Sequence, residues 1–124
     1  MCDKELILDV LDNIEQTLNE VVEWTEDVVS VDDFLMSHSG MILLNAVCMK
    51  LLAIGEEVKS LDKRTDKTLL SRYPQIQWKD VMGMRDIIAH HYFELEADKV
   101  FDALQNDIKP LLQTIKQIKK DFIK

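Results

Sequence analysis

Eleven consecutive residues carry the densest chemistry in this chain: Gly83-Met84-Arg85-Asp86-Ile87-Ile88-Ala89-His90-His91-Tyr92-Phe93. They include one arginine, one aspartate, two histidines and a tyrosine. The rest of the chain has one further histidine, His38, and two further arginines, Arg64 and Arg72. On a helix, Asp86 and His90 are four apart and share a face. The carboxylate can then orient the imidazole and favour its charged form. Arg85 and Tyr92, seven apart, share a different stripe. Arg85 and His90 are five apart, about 140° around an ideal helix, so within one chain they diverge unless the helix ends near His90. Two copies meeting across a two-fold axis would bring two arginines and two histidines into one cleft.

Such a cleft suits a phosphodiester. Histidine serves as general base or acid near neutral pH, worth about 10² to 10⁴ in rate. Arginine stabilises the charge that develops on phosphoryl oxygens. No spacing resembles a metal site, so the expected reaction is metal-independent and needs no cofactor. RNA is then the expected substrate rather than DNA, because its 2′-hydroxyl supplies an internal nucleophile. Spacing alone leaves a second reading open, in which these polar groups are an ordinary hydrogen-bonded helix end.

The elements around this stretch read as helices. Leu6, Ile7, Val10, Leu11, Ile14, Leu18, Val21 and Val22 recur at three- and four-residue steps, one face of an amphipathic helix. Ser30-Val31-Asp32-Asp33 carries a cap signature before a short turn with Phe34 and Leu35. Ser37-His38-Ser39-Gly40 punctuates the chain again, with His38 expected as a surface or capping residue. Met41 to Leu61 is the most apolar segment, a helix buried on more than one side. Gly55 inside it costs roughly 1 kcal/mol relative to alanine, which close approach of another helix would explain. Glu56, Glu57 and Lys59 mark its solvent side. Leu69 and Leu70 anchor a short helix in the polar connection that follows. Tyr73 is expected to be extended, because the proline that follows it disfavours the α region.

Trp78, Val81, Met82, Ile87 and Ile88 give the next helix its apolar positions. Glu94 to Asp98 is an acidic helix start, and Pro110 restarts the chain into a last amphipathic helix lined by lysines. Three glycines and two prolines in 124 residues leave little punctuation for strands. The expectation is one all-α domain over residues 1–124, a roughly antiparallel bundle of about four to six helices.

Composition narrows the partners. Residues 1–60 carry thirteen acids against three lysines, and residues 61–124 carry ten acids against twelve lysines and arginines. A net charge of −8 argues against tight nonspecific binding to nucleic acid, leaving room for a local site in the second half. The basic tail could touch phosphate, though a solvated face is the simpler role. Cys2 and Cys48 do not form a disulfide framework and are read as reduced thiols. The start, Met-Cys-Asp-Lys-Glu-Leu, lacks the basic-then-apolar order of a signal peptide, and the longest uninterrupted apolar run is far short of a membrane span. A cytoplasmic protein without membrane contact is expected.

At the central stretch the chain also resembles a known family. Arg85-x4-His90-x-Tyr92 is similar to the R-x4-H-x-Y motif of the HepT-like branch of the HEPN superfamily. Ile54-Gly55-Glu56-Glu57-Val58 resembles that family's I-G-E-A-[AV] segment, and Tyr73-Pro74-Gln75-Ile76-Gln77-Trp78 its Y-P-[DE]-I-P-W stretch. Gly83-Met84-Arg85-Asp86 is similar to G-M-R-[ND], and Gln105-Asn106-Asp107 to the late N-D-[LI]-P. These segments keep the family order across about residues 45 to 110. Asp86 stands where asparagine is common, Gln77 replaces a proline, and His91 falls where aspartate or glycine is frequent.

The resemblance implies a HEPN-like bundle forming a two-fold homodimer. It implies the toxin of a type VII-like toxin–antitoxin system, a ribonuclease whose catalytic residues are Arg85 and His90 of both chains, with Asp86 in support. It also implies a partner, an MntA-type minimal nucleotidyltransferase antitoxin that transfers AMP from ATP to Tyr92 and so blocks the cleft. The acidity keeps an alternative of another class in view. In that reading the chain is a non-catalytic nucleotide-binding or docking module that serves as substrate of the nucleotidyltransferase.

Overall fold

The expected spacing of apolar residues is realised in a bundle whose centre is one long helix. In the computed structural model, residues 2–90 and 97–123 are described. They form α1 (Cys2–Trp24), the one-turn α2 (Asp32–Leu35), α3 (His38–Arg64), a 3-10 turn at Leu70–Arg72, α4 (Trp78–His90), α5 (Ala97–Asn106) and α6 (Ile108–Ile123). Among the described residues there is no strand, and no helix is long and apolar enough to cross a membrane. The fold is all-α, with six helices among the described residues.

Helix α3 packs against α1, α2 and α4, while α6 packs against α1 and α5. The apolar stripe of α1 supplies Leu11, Ile14, Leu18 and Val21, each without exposed surface. They meet Val47, Leu51, Ile54, Val58 and Leu61 of α3 and Leu111, Ile115 and Ile118 of α6 in one core. Removing side chains of this size from water is the main stabilising term, about 1.5–3 kcal/mol for each. Lys119 of α6 crosses to α1 and pairs with Asp12 (2.5 Å) and Glu15 (3.0 Å). That lysine of the basic tail is therefore a latch between helices. Lys50 of α3 pairs with Glu20 of α1 at 3.0 Å and lies 5.1 Å from the centre of the Trp24 ring.

The connections follow from local chemistry. Asp33 Oδ2 accepts from the Val29 amide at 2.8 Å and the Ser30 amide at 3.1 Å, so the cap signature works backwards from Asp33. Ser37 caps α3, its Oγ accepting from the Gly40 amide at 2.9 Å. The Ser37–Gly40 punctuation is thus the first turn of α3, and His38 lies exposed within it. A Cβ at Gly40 would run into the Asp33 carbonyl oxygen, so only glycine lets α2 lie this close.

Leu69 and Leu70 are buried and anchor the 3-10 turn as expected. Tyr73 leaves the helical region with φ −124° and ψ 66°, short of the extended conformation expected, because its amide still closes the turn on the Leu70 carbonyl at 2.9 Å. Trp78 Nε1 donates to the Tyr73 carbonyl at 2.9 Å, closing the loop that launches α4. Tyr73 donates its hydroxyl to Asp121 Oδ2 of α6 at 2.7 Å. Burial, followed by the bond to Asp121, pushes its pKa up to about 12. Pro110 sits in the first turn of α6, where its missing N–H costs nothing. Cys48 is a free, buried thiol whose pKa is pushed up to about 11 by burial.

Candidate functional site

Helix α4 carries the motif. Its first turn is fixed by Trp78, which is buried in the core, and Ile88 is buried near its other end. Between them α4 crosses α3 at Gly55. A Cβ built there would stand 3.1 Å from the Arg85 amide nitrogen, 3.1 Å from the Val81 carbonyl oxygen and 3.2 Å from the Arg85 Cβ. The approach expected from Gly55 is therefore made by Arg85 itself. The absent side chain lets the Arg85 backbone rest directly on α3.

The guanidinium is held from two sides. Arg85 Nε pairs with Glu56 Oε1 at 2.5 Å, and Arg85 Nη1 donates to Asp86 Oδ1 at 2.9 Å. The bond to Asp86 first, then the charge and bond of Glu56, holds the guanidinium pKa above its already high value. Arg85 is a permanent cation, 39% exposed at its side chain. Glu56, which the sequence places on the solvent side of its helix and within the segment resembling I-G-E-A-[AV], is the residue of α3 that meets the guanidinium. Its neighbour Gly55 was the available signal. A residue next to the crossing point must sit beside whatever crosses there.

Of the other predicted site residues, Asp86 is exposed on α4 and bonded to Arg85. His90 is the last residue of α4. Arg85 and His90 thus both belong to one helix, and that helix ends at His90, the condition under which the two could converge within one chain. The His90 side chain lies outside the described residues, as do His91 and Tyr92 altogether. The loop Tyr73–Trp78 and the α5–α6 junction, both singled out in the sequence, face each other across a groove beside α4. Gln75, Gln77, Asp80, Met84, Asn106 and Asp107 line it. Burial, then Asp102 and Asp80, raises the Asp107 pKa.

An apolar line leads along α3 toward Arg85. Ile42, Met49 and Glu56 are spaced by seven residues and so fall on one side of the helix. Ile42 is 68% exposed and Met49 62%. Gly83, two residues before Arg85, has no atom within 4 Å of a built Cβ, so no packing within the described chain accounts for it.

Comparison with known proteins bears on the whole arrangement. Residues 7–118 match the family described as "Ribonuclease HepT-like". The "Putative RNase MJ0127" of Methanocaldococcus jannaschii is 32% identical over 119 residues, covering 96% of this chain and 88% of that protein. The "Putative RNase TTE0752" of Caldanaerobacter subterraneus subsp. tengcongensis is 28% identical over 108 residues, covering 87% and 89%. The "Probable ribonuclease HepT" of Thermococcus cleftensis is 25% identical over 112 residues, covering 90% and 94%. No solved structure matches.

Proposed function

Because this chain belongs to the HepT-like ribonuclease family, we propose that it is the RNA-cleaving toxin of a type VII-like toxin–antitoxin pair. The observation that carries this reading is the presentation of Arg85: a permanent cation, seated on α3, half-exposed, on the same helix as His90. Cleavage is metal-independent. His90 takes the proton from the RNA 2′-hydroxyl as that oxygen attacks the adjacent phosphorus, or returns one to the leaving oxygen. Arg85 neutralises the charge growing on the phosphoryl oxygens.

The site is built from two chains. Two copies meeting about a two-fold axis would bring both arginines and both histidines into one cleft. The exposed line of Ile42 and Met49 and the open side of Gly83 offer a face on which that copy can rest. Neutralisation is by an MntA-type nucleotidyltransferase. The Tyr92 phenol oxygen attacks the α-phosphorus of ATP, pyrophosphate leaves, and the bulky anion occupies the cleft beside His90.

The test is cleavage of single-stranded RNA by the purified protein in the presence of a metal chelator. Wild type should cut, and His90→Ala and Arg85→Ala should not. Equal cleavage by wild type and both variants would overturn the proposal. One observation favours the second reading, a non-catalytic docking module: Arg85 already faces two carboxylates in a chain of net charge −8. That reading is selected if ATP and a nucleotidyltransferase add AMP mass to Tyr92 while RNA stays intact in every assay.

A further inference from the structure

Adjacent residues of α3 hold Arg85 at both ends. Gly55 receives its backbone, and Glu56 binds the far end of its side chain. We infer that Glu56 is the positioning residue for Arg85, aiming the guanidinium at the phosphodiester while touching no substrate atom itself. This inference rests on the nuclease reading of the site and names a residue that reading does not include.

A partly exposed arginine on a helix samples many rotamers, and each freedom must be lost before the guanidinium can meet a phosphoryl oxygen. Glu56 removes that freedom from the Nε edge, while Asp86, the residue next to Arg85, engages Nη1. Each carboxylate makes a single contact, on a different nitrogen, and the two together define the orientation of the guanidinium plane. Exposed ion pairs contribute little to stability, so the arrangement serves orientation more than folding. Its electrostatic effect is opposite in sign. Glu56 and Asp86 together outweigh the charge of Arg85, so the pair of acids weakens the attraction for an anion even as it aligns the cation.

That opposition gives a signature that a merely structural role would not produce. Glu56→Gln keeps the shape and removes the charge. Its kcat on single-stranded RNA should fall about 2- to 5-fold, the most that an exposed ion pair can bias the orientation of the arginine. Its KM should stay level or fall, because a negative charge has left the site. Glu56→Asp, whose carboxylate is one methylene too short to reach Nε, should lose kcat to a similar extent. Glu57→Gln removes the same charge about 100° around the helix and should leave kcat unchanged.

A second measurement is independent of cleavage. In ¹⁵N-resolved NMR of the free protein, the Arg85 Nε–H should exchange slowly in wild type and collapse into the averaged arginine signal in Glu56→Gln. A kcat fall in Glu56→Gln with KM level or lower, together with that spectral change, supports the inference. Unchanged kcat in Glu56→Gln, or an Nε–H signal indifferent to the substitution, overturns it. An inactive wild type whose Nε–H signal still depends on Glu56 overturns the nuclease reading, and with it the catalytic purpose of the pair, while leaving the contact itself in place.

Discussion

Gly55 and Arg85 meet where α3 crosses α4, with 3.1 Å between a built Gly55 Cβ and the Arg85 amide nitrogen. The position of the motif arginine is therefore set by a residue that has no side chain. At such a distance from backbone atoms, an added methyl group cannot be accommodated by a rotamer change. One helix must move against the other.

Gly55→Ala tests this contact. Alanine improves helix propensity by roughly 1 kcal/mol. Overpacking against backbone costs about 1–3 kcal/mol, so the net expectation is a loss of stability. Urea denaturation should show a lower midpoint with an unchanged slope. Cleavage should fall further than the lost folded fraction explains, because Arg85 moves with α4. A variant more stable than wild type would show that α4 does not press on Gly55.

Ile42→Glu and Met49→Glu place a charge on the exposed line of α3. If a second copy rests there, light scattering should show wild type at twice 14.4 kDa and the variants at that single mass. Activity should be lost with the dimer while the helical circular dichroism stays. A two-chain mass in both variants would move the interface elsewhere.

Lys119→Met removes the latch to Asp12 and Glu15. The expected loss is small, about 0.5–1 kcal/mol, and larger at low salt than at high salt. RNA cleavage at saturating substrate should be unaffected, because this lysine is spent on α1. A strong rise in KM would instead assign the lysine-lined face of α6 to RNA.

Asp107 carries a pH prediction. Its carboxyl is pushed up from 3.8 by burial and by Asp102 and Asp80, so the folded state holds the proton more tightly than the unfolded state. The stabilisation from that proton is present below pH 3.8 and is lost as pH rises through the higher folded value. At neutral pH the charged form is the unfavourable one. Asp107→Asn should raise Tm by roughly 1–2 °C at pH 7, and the gain should vanish in acid. A gain that grows as pH falls would contradict the sign.

Much of the fold was legible because helix periodicity is a local property. The stripe from Leu6 to Val22 became α1, the apolar run at Met41–Leu61 became the centre of α3, and Pro110 marked the restart into α6. Boundaries were less legible. His38 to Gly40 read as punctuation yet begins α3, because a serine cap and a glycine under α2 look in sequence like a loop. The site was half legible. Arg85, Asp86, His90 and Tyr92 stood out as a cluster, whereas Glu56 read as a solvated acid inside a family-like segment, with nothing to say that it meets Arg85. It lies 29 positions before Arg85, and no local rule spans that interval.

The helices and the family to which the motif points were readable from the residues alone. Each depends on residue type and spacing along one element, where 3.6 residues per turn fix the geometry. Only the tertiary structure decided what Arg85 touches. The crossing of α3 and α4 depends on how whole apolar faces fit together, and that fit places Gly55 beneath the arginine and Glu56 beside its guanidinium.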